Sequence, residues 1–203
     1  MNFALIPAGG KSSRMGTPKL SLPLGDRSVL EHVIGRLQEA TIEHVLVVVG
    51  AHVPELVPLA GKAGAEVLLL SADTPDMRAT VEQGLLWLEE RYQPGSDDHW
   101  LLVPADHPTL EAQSVRQLLV ASRQRLDCSI VVPTYRGKRG HPALISWKHV
   151  AGIRALALGL GLNVYLRQHS AETLEVPVDS ATVLAHLDTP EDYERLRKQG
   201  GET

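Results

Sequence analysis

Phe3-Ala4-Leu5-Ile6 runs directly into Pro7-Ala8-Gly9-Gly10-Lys11-Ser12-Ser13-Arg14-Met15-Gly16-Thr17-Pro18-Lys19. The first four residues form a short apolar run that stops at a proline and predict a strand. The next thirteen place three glycines, two serines and the cations Lys11, Arg14 and Lys19 in one loop. Glycine lets backbone N–H groups approach a phosphate closely, and the cations neutralise it. Any one of these residues alone reads as part of a solvated loop whose glycines only make turns. The whole set, placed straight after the first strand, points to phosphate binding at the carboxyl edge of an α/β sheet. Two familiar phosphate loops are excluded. Gly10-Lys11-Ser12 would put the first glycine of a G-x-x-x-x-G-K-[ST] loop at Leu5, inside the strand. The G-x-G-x-x-G dinucleotide fingerprint has no match in the loop.

Outward from this loop, strand-like and helix-like stretches alternate. Val45–Val49, Val67–Leu70, Trp100–Val103, Ser129–Val132 and Ala143–Ile145 are short apolar runs. Continuous runs of this kind predict strands buried on both faces, as in parallel sheets. Ser28–Ala40, Met77–Tyr92 and Gln113–Leu126 carry apolar residues at helical spacing, with Ser28 and Glu31 set as a capping box. Thr189-Pro190-Glu191-Asp192 reads as a helix start, with Thr as N-cap and Pro at the first helical position. The pattern predicts a single-domain, doubly wound α/β fold with a mostly parallel sheet over residues 1–199, and a frayed tail at 200–203. There is no internal repeat, low-complexity tract or linker.

Composition narrows the classes. The chain has 203 residues, 43% hydrophobic and 22% charged, which supports a core and argues against disorder. Aromatic residues are only 4%, so that core must be aliphatic. A formal net charge of −4 disfavours non-specific nucleic-acid binding. Cys128 is the single cysteine, which excludes an internal disulfide and a cysteine-based zinc site. No apolar run approaches the ~20 residues of a membrane span, and the amino terminus lacks a basic signal region. The expectation is a cytoplasmic protein with no nucleic-acid or membrane partner.

The loop resembles the L-x-A-G-G-x-S-x-R-M-G-x-x-K signature of the nucleotidyltransferases related to molybdopterin cytidylyl- and guanylyltransferases, which share the Rossmann-like nucleotide-diphospho-sugar transferase fold. Leu20-Ser21-Leu22-Pro23-Leu24 continues it. Pro104-Ala105-Asp106-His107-Pro108 resembles the family's P-A-D-x-P, and Gly140-His141-Pro142 its G-H-P. Asp188-Thr189-Pro190-Glu191-Asp192-Tyr193 resembles its D-T-P-E-D-Y. The resemblance therefore spans almost the whole chain. It implies transfer of a nucleotide from a nucleoside triphosphate to a phosphorylated or acidic acceptor, with molybdopterin as the first expectation and a molybdoenzyme as a candidate protein partner. The P-A-D-H-P and G-H-P forms lean toward the cytidylyl branch, so CTP is expected, with GTP as the alternative.

The resemblance also assigns roles. Ala8, Gly9, Gly10, Lys11 and Ser12 would hold the nucleotide. Arg14 and Lys19 would hold the triphosphate and stabilise the departing pyrophosphate. Asp106 is the expected Mg²⁺ ligand and Asp188 the second. Taken alone, Asp106 reads equally as a turn or cap residue at a strand end. Asp188 reads as part of a helix start. Mg²⁺ prefers one or two carboxylates together with phosphate oxygens and water, which fits the pair once a phosphate loop shares the edge. Met77-Arg78-Ala79-Thr80 with Gly84 resembles the family's G-M-x-x-S-x-x-x-G-L segment, placing Thr80 and Gly84 at the nucleotide, though Asp76 stands in place of glycine. Gly140, His141 and Pro142 are expected at the acceptor.

One stretch departs from the family. Leu158-Gly159-Leu160-Gly161-Leu162-Asn163 is apolar where relatives carry an acidic segment. The acceptor therefore stays open among molybdopterin, a sugar phosphate, an isoprenoid phosphate precursor and a phospholactate-like acid. A non-catalytic nucleotide-binding or chaperone-like module is the rival class. The segment 155–166 reads either as core or as a contact surface.

Overall fold

A computed structural model of the chain describes residues 1–10 and 15–200. Lys11, Ser12 and Arg14 lie outside the described residues, as do residues 201–203 of the expected tail. Gly200 closes the last helix.

The chain opens with β1 (Asn2–Ala8), a one-turn 3₁₀ helix at Lys19–Ser21, and the small hairpin β2 (Pro23–Leu24) and β3 (Arg27–Ser28). Then come α1 (Val29–Glu39), β4 (His44–Val49), α2 (Leu56–Lys62), β5 (Glu66–Leu69) and α3 (Met77–Tyr92). They are followed by β6 (His99–Leu102), α4 (Ala112–Gln124), β7 (Ile130–Tyr135), β8 (Lys138–Arg139) and β9 (Ala143–Ser146). The rest is α5 (Val150–Arg154), α6 (Leu162–Gln168), β10 (Thr173–Pro177) and α7 (Pro190–Gly200).

The main sheet has the order β10-β7-β9-β6-β1-β4-β5, with β8 paired to β7. The β1–β4, β4–β5, β1–β6 and β7–β10 pairs are parallel. Strand β9 is the exception, antiparallel to both β6 and β7. The sheet is thus mostly parallel, as expected, but the Ala143–Ile145 run does not share the common direction.

Alternation along β1 explains the layers. Ala4, Ile6 and Ala8 point to one face, where they meet α1, α2 and α4 through Leu30, Val33, Ile34, Ala60, Val115 and Leu118. Phe3 and Leu5 point to the other, against Val81, Leu85 and Leu88 of α3 and Val150 and Ile153 of α5. Both faces are covered, so the strands read as unbroken apolar runs. Glycine makes one of these contacts possible. A Cβ on Gly84 would stand 2.7 Å from both Leu5 Cδ1 and Val48 Cγ2, so α3 lies closer to the sheet there than any side chain allows. The core is aliphatic apart from Phe3, Trp100, Trp147 and Tyr165. Among the described residues no helix is long and apolar enough to cross a membrane.

Candidate active site

Three loops leave the carboxyl edge of the sheet after β6, β1 and β5, with β4 between the last two. Together with Asp188 they enclose a cavity of about 480 Å³. The β1 loop contributes Pro7, Gly9, Gly10 and Met15, and the chain just beyond it contributes Lys19 and Leu20. The segment opening α3 contributes Thr74 to Met77 and Thr80, and the β6 loop contributes Pro104, Ala105 and Asp106. This volume lies within the range of small-molecule sites, roughly 300–1,000 Å³.

Lys19 is the hub. Its Nζ donates to Asp106 Oδ2 at 2.6 Å, to the Leu187 carbonyl at 2.8 Å and to Asp188 Oδ1 at 3.2 Å. One ammonium thus joins residues from three distant parts of the chain. Asp188 is positioned by the start of α7. The Asp192 carboxylate accepts from the backbone N–H of Asp188 and Thr189, while Thr189 Oγ1 accepts from Asp192 N. These backbone donors hold the Asp192 carboxyl down at about 2. The helix start foreseen in T-P-E-D is present, and it also aims Asp188 at the cavity. Asp106 is anchored through its carbonyl, which accepts from Leu187 N at 3.0 Å.

The remaining expected residues fall into two groups. Gly9 and Gly10 line the cavity, with Ala8 buried just before them. Thr80 lies on the cavity wall beneath Gly9, its hydroxyl bonded to Thr74 Oγ1 and the Asp76 carbonyl. Asp76 caps α3 by accepting from Ala79 N at 2.8 Å while facing the cavity. Gly84, by contrast, lies one turn further along α3, packed against Leu5 and Val48, and is not among the lining residues. Gly140, His141 and Pro142 also lie outside the lining. They sit beside His107, joined by a cis His141–Pro142 bond, with His141 N donating to the Val183 carbonyl at 2.8 Å.

Sequence reasoning missed the histidine cluster behind Asp106. His107 is 1% exposed, and its Nε2 is 2.7 Å from His186 Nδ1. The His141 ring stands edge-on to that of His107 at 5.8 Å between centroids. Burial, with the nearby His186 ring adding, pushes the His107 imidazole down to about 3, so it is neutral at working pH. Burial lowers His141 as well. His186 precedes the D-T-P-E-D-Y stretch and carries no signal of its own in the sequence.

Asp106 and Asp188 both pair with Lys19 beside the phosphate-loop cavity. Two carboxylates brought together at a phosphate-loop cavity are a donor set of the kind that hard divalent ions take. The residues present therefore fit a divalent metal, with the two carboxylates as its holders.

Residues 4–173 match the model of the MobA-like NTP transferase domain. The chain belongs to this family. Like its other members, it is a nucleotidyltransferase with the nucleotide-diphospho-sugar transferase fold. It is 26% identical over 201 residues to a probable molybdenum cofactor guanylyltransferase of Carboxydothermus hydrogenoformans, covering 95% of this chain and 93% of that protein. It is 31% identical over 134 residues to a 2-C-methyl-D-erythritol 4-phosphate cytidylyltransferase of Tolumonas auensis, covering 63% of this chain and 54% of that protein. Among solved structures, the Mycobacterium sp. strain JC1 homologue of a Mycobacterium tuberculosis protein superposes with a TM-score of 0.78 at 24% identity, covering 98% and 96% of the two chains.

Proposed function

We propose that this nucleotidyltransferase moves GMP from GTP to the phosphate of a molybdopterin-type acceptor, releasing pyrophosphate. The observation that carries this reading is the guanylyltransferase relative matched along nearly its full length. Its cavity counterpart is the set of Lys19, Asp106 and Asp188 beside the glycine loop.

An acceptor oxygen attacks the α-phosphorus, and the bond to the β-phosphate bridging oxygen breaks. No covalent enzyme nucleophile is needed, so the protein's task is positioning and charge neutralisation. Backbone N–H groups of the glycine loop would cradle the phosphates, and Lys19, with Lys11 and Arg14, would balance the charge of the departing pyrophosphate. Ser12 would add a hydroxyl to the phosphate cradle. Asp106 and Asp188 would hold a Mg²⁺ ion, which supplies positive charge at the α-phosphate when bound. Gly140, His141 and Pro142, beyond Asp106, would receive the acceptor.

A second reading keeps the reaction and exchanges GTP for CTP. The P-A-D-H-P and G-H-P forms favour it, as does the likeness to a cytidylyltransferase. Calorimetric titration with non-hydrolysable GTP and CTP analogues in Mg²⁺ separates the two. A tenfold preference, about 1.4 kcal/mol, assigns the base. Absence of pyrophosphate release from any triphosphate with molybdopterin would overturn both readings.

A further inference from the structure

We propose that His107, His186 and Asp106 form a second cation site, made for a borderline first-row transition ion such as zinc or cobalt. It shares Asp106 with the carboxylate pair proposed to face the triphosphate and takes its other two ligands from outside the cavity lining. One ligand atom from each of these three residues lies within 4.8 Å of the other two. His107 Nε2 and His186 Nδ1 are already 2.7 Å apart, sharing one proton. Two nitrogens bound to one zinc at ordinary bond lengths stand about 3.3 Å apart in tetrahedral geometry. The rings need only part by about half an ångström, the shared proton moving to the far nitrogen of its own ring, for both facing nitrogens to offer lone pairs to an ion.

The frame is already rigid. His107 is buried in the β6 loop, and His186 precedes Leu187, whose N–H is fixed on the Asp106 carbonyl at 3.0 Å. The cluster is also costly as plain packing. His107 Nδ1 and His141 Nδ1 are both buried with no hydrogen-bond partner among the described residues. Each such buried polar atom costs about 1–3 kcal/mol, a cost that apolar side chains of similar shape avoid. These orphaned nitrogens are not the pair that would face the ion; they show that the imidazoles are held at a cost that packing alone does not repay.

Donor chemistry decides the class of ion. Two imidazoles and one carboxylate are the set taken by borderline transition metals with open coordination positions. Mg²⁺ instead seeks oxygen alone. The histidines lie outside the cavity lining, so the hard and borderline donors are separated, with Asp106 between them. The site shares Asp106 with the reaction described above but does not depend on the nucleotide or the acceptor.

The test is Co²⁺ titration of the metal-free full chain, without nucleotide, in excess Mg²⁺, read by visible d–d absorption. One equivalent is expected to bind and to be displaced by Zn²⁺. His186→Ala, which alters an exposed side chain, should weaken binding more than about 10-fold. Asp188→Asn should leave the spectrum unchanged. His186→Ala should keep Mg²⁺-supported pyrophosphate release within about two-fold of the parent, since the hard donors are intact. No visible band, an unchanged titration in His186→Ala, or equal loss in Asp188→Asn would each overturn the site. So would a turnover loss in His186→Ala with Co²⁺ binding intact, which would assign that ring to the reaction. Failure of pyrophosphate release in the parent chain would count against the transferase reading and leave the Co²⁺ result standing.

Discussion

Lys19 donates to Asp106, Leu187 and Asp188 at once, so its ammonium holds the position between the two carboxylates that a metal would also seek. On the proposed reading a metal would therefore compete with the lysine until a triphosphate draws the ammonium onto its oxygens. Lys19→Ala should cost about 2–4 kcal/mol of transition-state stabilisation, read from kcat/KM for pyrophosphate release. In the same variant, Mn²⁺ binding to the nucleotide-free protein, followed by water proton relaxation, should tighten. Unchanged Mn²⁺ affinity would remove the competition from the account. His149 makes a different residue-scale prediction. Its ring is buried between Ser129 Oγ at 2.7 Å and Tyr165 Oη at 3.0 Å, and burial pushes it down from 6.5 to about 4. As pH falls below 6.5 the unfolded chain takes up a proton that the folded ring refuses. Stability should therefore fall between pH 6.5 and about 4, then level off, with a slope of at most about 1.4 kcal/mol per pH unit from this group. Urea unfolding across that range should show a shallower fall in His149→Asn. At this scale, Asp106, Asp188 and Lys19 were legible because each stands in a motif tied to charge. His107 and His186 were not, because a pair made of one buried loop imidazole and one exposed one, 79 residues apart, leaves no periodic trace.

Apolar residues at helical spacing place α1, α3 and α4 within a residue or two in the sequence. Met77–Tyr92 is α3 itself, and Ser28 with Glu31 forms the reciprocal cap of α1. Ser28→Ala should lower stability by about 1 kcal/mol, measured by thermal or urea unfolding, since it frees the Glu31 N–H and breaks the box. Helix α2 escaped notice because it spans seven residues and contains Pro58 and Gly61. The direction of β9 was also invisible. A strand buried on both faces presents the same unbroken apolar run whichever way it runs, so Ala143–Ile145 carried no sign of its antiparallel pairing. Gly84 shows how a family motif can point to a site while the residue serves an element. Gly84→Ala forces α3 off Leu5 and Val48, and should destabilise the fold by about 1–3 kcal/mol. Because α3 carries Asp76 and Thr80 into the cavity, nucleotide affinity should weaken with it, as calorimetry would show.

Across the whole molecule, the family match ends at residue 173, yet the site does not. The Val183 carbonyl holds the His141 loop, Leu187 bonds to Asp106 and Lys19, and Asp188 completes the carboxylate pair. A chain ending at residue 180 keeps every strand of the main sheet. It should retain most far-ultraviolet circular dichroism while losing metal-supported pyrophosphate release. The segment 155–166 belongs to the core only in part. Leu162 and Tyr165 enter the core, while Leu158 is 94% exposed on a loop whose carbonyls at 156 and 157 accept from buried Arg78. Lys19, held by residues almost the whole chain away, has a consequence for the order of synthesis. A ribosome makes the glycine loop and Asp106 long before Asp188, and domains form as their parts emerge. Until Asp188 has cleared the exit tunnel, a nascent chain carries a phosphate loop with only half its carboxylates. On the proposed reading, a chain interrupted before residue 188 would lack the second carboxylate and would not spend nucleotide.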